Sequence, residues 1–276
     1  MAIVIDAGPS AGGAPAADAG APAADAGKSP LHIRKIEIAD LMECIAKGVQ
    51  DFSRAPKYGM SFGAIYAVGG WLILWIALAL GYFYLAYPFM MGFALLSPFG
   101  AAGTYEISRR LETGEPLSWS AVYGAIWNRS GKDLGWLALV SLFTLIIWLD
   151  LAVFLFLVFY GVQVPSLAQL FTNVFTTSYG LTFLLVGNGV GAIIALIVFS
   201  FTAVSPPLVV DRDVDFVTAM TVSVQAVLAN PRTMLAWAAV IGMDLAVSFV
   251  TLFVALLVIF PVLGHTTWHL YRRLID

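Results

Sequence analysis

The chain has 276 residues, of which 60% are hydrophobic and only 11% charged, and its formal net charge is −3. Soluble domains carry about a quarter charged residues, so this balance excludes an ordinary soluble enzyme. The slight negative charge argues for neither a nucleic-acid partner nor a basic membrane-surface patch. The single cysteine, Cys44, excludes an internal disulfide and a cysteine-based cluster.

Residues 13–27 repeat APAADAG twice after a glycine. Small residues, proline and aspartate cannot bury a core, so residues 1–30 are expected to form a disordered tail. The segment also lacks the basic and apolar regions of a signal peptide. Residues 31–276 are expected to form one polytopic membrane domain.

Apolar runs of about 20 residues, enough to cross the hydrocarbon core as helices, follow in order. The first covers 59–81 with Trp71 and Trp75, and the second 84–108 with Pro88 and Pro98. The third covers 134–160 and the fourth 181–207. The stretch Met234–Leu263 is 30 residues long, awkward for one span and short for two. Reading it as the start of a hairpin gives spans at 234–249 and 252–271, joined by a tight turn. With six spans, all 14 lysines and arginines fall on one side, which the positive-inside rule makes cytoplasmic together with both termini. A five-span chain would strand Arg272 and Arg273 outside.

Three inner segments resemble one another: 37–59, 117–136 and 215–237. Each is a short helix, then Asn or Asp, then Arg, Pro or Lys, then a span. Ile38, Leu41, Met42, Ile45 and Val49 share one face of the first helix. Trp119, Val122 and Ile126 do so in the second, and Phe216, Met220 and Val227 in the third. Ser97-Pro98 and Ser205-Pro206 recur ahead of the second and third helices. The expected fold is therefore an all-α membrane protein of about six transmembrane helices. They form three hairpin repeats, each preceded by a cytoplasmic amphipathic helix.

The stretches GGWLILW, SPFGAAGTYEISRRLETGEPLSW, SPPLVVDRDVDFVTAM and PVLGHTTWHLYRRL resemble an uncharacterised bacterial integral membrane family, domain of unknown function 2189. The resemblance extends over about residues 37–275. It implies a protein of the bacterial inner membrane and no established activity. Members have been labelled as similar to cytochrome oxidase subunit I. Three histidines are too few for a haem–copper core.

Several constellations carry candidate chemistry. His265 and His269 are four apart and share a helix face, a spacing that suits a metal, with Cys44, Glu106, Asp211 or Asp213 as further ligands. The competing reading is an interfacial anchor of His265, Trp268, His269 and Tyr271, with Arg272 and Arg273 reaching water. Asp150 and Asp244 are the carboxylates inside expected spans, and with Asn188 they are transport candidates. Asp211-Arg212-Asp213-Val214-Asp215 reads as a charged turn in which an aspartate caps the next helix, and Glu106 is spaced to pair with Arg109 and Arg110. Gly69-Gly70, Gly187, Gly189 and Gly191 suit close helix contact.

Three functions are compatible with these residues. The first is a non-enzymatic accessory, scaffold or assembly component of a membrane complex, possibly a respiratory one, with the bilayer and a membrane-protein complex as partners. The second is a small transporter or channel using Asp150 and Asp244. The third is a metal- or haem-handling protein using His265 and His269, with no cofactor identified.

Overall fold

The computed structural model describes residues 3–5, 31–129, 131–162 and 165–276, giving backbone alone at 3–5 and 125–129. Strand β1 (Ile3–Ile5) pairs in parallel with β2 (Leu31–Ile33). The remainder of the expected tail lies outside the described residues.

Helix α1 (Ile38–Arg54) opens on a capping box between Glu37 and Asp40. It stops at Ala55 (φ −133°, ψ 47°), and α2 (Pro56–Ala79) starts at once. Pro56 stands in the first turn, where a missing N–H costs nothing. Gly81, at φ 76°, supplies the left-handed turn after α2.

The second expected span is broken. A 3₁₀ turn at Phe83–Leu85 leads into α3 (Ala86–Ala94), α4 (Ser97–Gly100) and α5 (Ala102–Thr113). Pro98 removes a donor and disfavours helix at the residue before it. The break is stabilised by Tyr66, whose hydroxyl donates to the Leu96 carbonyl at 2.7 Å. Its ring occupies the space a Gly100 Cβ would fill.

Helix α6 (Trp119–Arg129) leads to α7 (Gly131–Tyr160), with residue 130 outside the described residues. Helix α8 (Leu167–Thr176), which the sequence reading did not foresee, opens on a capping box between Ser166 and Gln169. It is followed by α9 (Ser178–Thr202), α10 (Ser205–Asp211) and α11 (Phe216–Ala229). Asp215 caps α11 by accepting from the Thr218 backbone N–H at 2.9 Å, as the charged turn predicted. At Asn230 (φ −129°, ψ 50°) the chain passes into α12 (Pro231–Val250) with nearly the backbone geometry of Ala55. Leu252 and Phe253 turn in the left-handed region, where the hairpin was expected, and α13 (Leu256–Leu274) returns.

Among the described residues four helices are long and apolar enough to cross a membrane: Pro56–Ala79, Gly131–Tyr160, Ser178–Asp211 and Pro231–Val250. The second expected span lacks a continuous helix, and the polar end of α13 lowers its hydropathy. Thus the all-α membrane fold holds, with four such helices where six were expected.

Helix α13 is the keystone and lies against α1, α2 and α5. Gly48 and Gly63 admit its backbone: an added Cβ would lie 2.8 Å from the Thr266 nitrogen and 2.4 Å from the Leu256 carbonyl oxygen, respectively. Trp268, Leu270, Tyr271 and Leu274 are fully buried, a burial worth about 1.5–3 kcal/mol per leucine. The two ends of the chain meet here. Arg34 donates its backbone N–H to Leu274 at 2.9 Å, and Asp276 donates to His32 at 3.1 Å. Asn230 clamps the same segment by accepting from Ile36 N–H at 2.8 Å and donating to the Arg34 carbonyl at 3.0 Å.

Candidate functional site

The core gathers at the end of the helices that holds these termini. The long helices beyond it expose Trp75, Phe143, Leu185 and Met243, as expected where lipid replaces a protein neighbour. Chemistry-bearing side chains are therefore to be sought at the packed end.

There α13 places His265 and His269 one turn apart, α1 brings Asp51 and α5 brings Ser108. The Ser108 hydroxyl lies 2.8 Å from Asp51 Oδ2 and 2.8 Å from His265 Nδ1. His269 Nε2 lies 2.7 Å from the same Asp51 oxygen. Ser108 has one proton to give. If it goes to the carboxylate, His265 must donate from Nδ1, and its Nε2 then carries a lone pair. That Nε2 is buried and finds no hydrogen-bond partner among the described residues.

Burial pushes the Asp51 carboxyl up, but hydrogen bonds from His269 and Ser108 and the nearby imidazoles outweigh it and hold its pKa below the ordinary value. The cluster is enclosed on all but one side: Ser108 and His265 have no exposed surface and Asp51 retains 5%, while the His269 side chain is 15% exposed.

A serine 2.8 Å from an imidazole has the reach of a nucleophile and base. Two features separate this arrangement from a hydrolytic triad. Asp51 contacts the serine and the other histidine, so it does not orient His265. A cleft of about 80 Å³ that Gly264 borders is lined by Tyr105 and Thr267 among others, and by none of the cluster residues. The arrangement fastens α1, α5 and α13 together.

His265 gives Nδ1 to Ser108 and His269 gives Nε2 to Asp51. Among the described residues no three His, Cys, Asp or Glu side chains are grouped to hold a metal. Burial pushes the Cys44 thiol up to about 11. Glu106 is fully buried and taken by Arg109 and Arg110 at 2.8 and 2.7 Å, and Arg109 also reaches Glu115 at 2.8 Å. Asp211 accepts from the Tyr271 hydroxyl at 2.6 Å and lies 3.5 Å from Arg272. Arg212 donates to the Asp276 carbonyl at 2.7 Å, and Asp213 is exposed in the turn.

The interfacial belt is corrected by the same geometry. Trp268 and Tyr271 are fully buried, with Trp268 Nε1 donating to Glu112 at 3.1 Å. Trp268 thus turns to α5 and Tyr271 to Asp211 of α10, while α1 covers the Thr266, His269 and Arg273 side of α13. Ile38, Met42 and Val49, expected with Leu41 on one apolar face, are exposed. Ile126 and Arg129 have side chains outside the described residues.

The transport candidates are not brought together. Asp150 is exposed on α7, Asp244 is half-buried on α12, and Asn188 on α9 accepts from the Tyr87 hydroxyl at 2.7 Å. No hydrogen bond joins any two of them among the described residues. Gly187 and Gly189 face open space, whereas Gly191 packs on Trp148, Gly69 on Phe93 and Gly70 on Phe253.

Asp51 and Ser108 were not foreseen as site residues. Their one signal is position: Asp51 follows Leu41, Cys44 and Gly48 at helical spacing on the α1 face that α13 covers.

A family model described as predicted integral membrane protein (DUF2189) matches residues 85–211. The chain is similar to the proteins of that family. The matched stretch runs from the turn before α3 to the end of α10 and contains YEISRR. Asp51, His265 and His269 lie outside it. No curated protein and no solved structure matches the chain.

Proposed function

We propose that this chain is a non-enzymatic accessory or scaffold component of a membrane assembly, whose packed end holds the helices while its long apolar helices meet neighbouring membrane proteins. One observation carries the reading. Only 6% of the apolar windows of Gly131–Tyr160 and Ser178–Asp211 is buried, against 28% for Pro56–Ala79. Two long helices thus fully bury few of their residues within this chain and leave much of their surface to the bilayer and to other helices within it, where packing and small polar contacts drive association. The largely enclosed state of the Asp51–Ser108–His265–His269 cluster supports a structural role for those polar residues.

The reading includes six crossings of a bacterial inner membrane, with both termini cytoplasmic. The broken α3–α5 segment makes the second crossing and α13 the sixth. Support comes from the basic residues, which all fall on one side in this arrangement, and from the meeting of the termini at one end of the bundle. The three short helices that precede α2, α7 and α12 would then be repeats of one unit.

The test is isolation from native membranes in mild detergent. The reading expects a partner in stoichiometric amount. The chain isolated alone from every mild detergent, at full yield, would overturn it.

A further inference from the structure

Charge in this chain is sorted into two populations. Arg34, Arg109, Arg110, Arg272 and Arg273 each lie within ion-pair distance of a carboxylate at the packed end. Besides Lys35, which precedes the first helix, the four residues Arg54, Lys57, Lys132 and Arg232 are exposed and have no acidic partner among the described residues.

These four stand at the three joints where a short helix passes into a long apolar one. Lys57 and Arg232 each occupy the second position of their helix, and Lys132 is the second described residue of α7. A cation there opposes the helix dipole, so helix stability does not account for the choice. Three or four residues later, on the same helix face, come Met60, Trp136 and Leu235, all exposed. Each cation thus shares a helix face with an exposed apolar side chain, although Trp136 also stacks on Phe216. Lys57 also lies over the Tyr58 ring, 5.1 Å from its centroid.

We propose that Arg54, Lys57, Lys132 and Arg232 form a belt that binds the phosphates of anionic phospholipids. Charge complementarity and continuity with the lipid-facing surface select this occupant. The net charge of −3 conceals the belt because it counts carboxylates already engaged by arginines. A basic residue near an anionic leaflet is worth about fivefold in binding.

The test is native mass spectrometry of the purified full chain titrated with phosphatidylglycerol or phosphatidylcholine of equal chain length. The wild type is expected to retain phosphatidylglycerol about tenfold more strongly, with the preference falling as salt rises. Combined Arg54→Gln, Lys57→Gln, Lys132→Gln and Arg232→Gln should bring the two lipids to parity. Lys57→Arg, Lys132→Arg and Arg232→Lys should keep the preference, as should Lys47→Gln, because Lys47 already pairs with Glu43 at 2.8 Å. Equal retention by the wild type would overturn the proposal without reference to any variant. So would a preference surviving in the folded quadruple variant, or, should that variant fail to fold, a preference undiminished by every one of the single substitutions.

Discussion

Asp51 and His269 lie 2.7 Å apart although 218 residues separate them in sequence. The contact ties the first helix of the membrane domain to the last. Ser108 joins it from α5, so one carboxylate oxygen organises three elements.

Asp51→Ala should therefore destabilise the protein by about 2–4 kcal/mol, since it leaves Ser108 and His269 without their buried acceptor. Thermal or denaturant unfolding in detergent measures this. A change under about 0.5 kcal/mol, the range of surface substitutions, would show that the contact does not hold the helices.

The same carboxyl sets a pH dependence. Its pKa is depressed in the folded chain from an ordinary 3.8. Its contribution is therefore complete above 3.8 and is lost as pH falls from there through the depressed value. Unfolding midpoints of the wild type and Asp51→Asn, followed downward from pH 6, should converge below about pH 4. A constant difference across that window would contradict the assignment.

Close packing gives a contrast between glycines. Gly63→Ala places a methyl 2.4 Å from the Leu256 carbonyl oxygen, and forcing α2 and α13 apart should cost about 1–3 kcal/mol. Gly187→Ala faces open space and should be neutral or stabilising by up to about 1 kcal/mol. Equal effects at the two positions would argue against α13 as the keystone.

Glu106 and Glu115 both pair with Arg109, but only Glu106 is fully buried. Glu106→Gln should cost about 3 kcal/mol or more by leaving two guanidiniums without their buried counterion. Glu115→Gln, at an exposed carboxylate, should cost no more than about 1 kcal/mol. Comparing the two variants by unfolding separates the buried pair from the exposed one.

How much the sequence disclosed varies by element. The first, third, fourth and fifth spans were legible within a few residues, because a long apolar run in a chain poor in charge has one solution. The turn after α12 was legible from charge, which required a hairpin to keep Arg272 and Arg273 with the other basic residues. The break at Leu95–Leu96 was not foreseen despite Pro98, since its stability depends on Tyr66 from another helix. Helix α8 was legible in principle, as Ser166 and Gln169 spell its capping box. The cluster was not. Asp51 looks like any polar residue of an amphipathic helix, and only the tertiary approach of α13 shows which side of α1 is covered. His265, Trp268 and Tyr271 resemble an interfacial belt until α5 and α10 are placed against them.

The central claim is that the long apolar helices are an assembly surface. A photo-crosslinking residue at Phe143 on α7 and at Leu185 on α9, both strongly exposed, tests it in native membranes. The account predicts a discrete protein adduct of one mass from each position, matching a partner that co-isolates in mild detergent. Adducts to lipid alone, from both positions and with the chain isolated by itself, would contradict it.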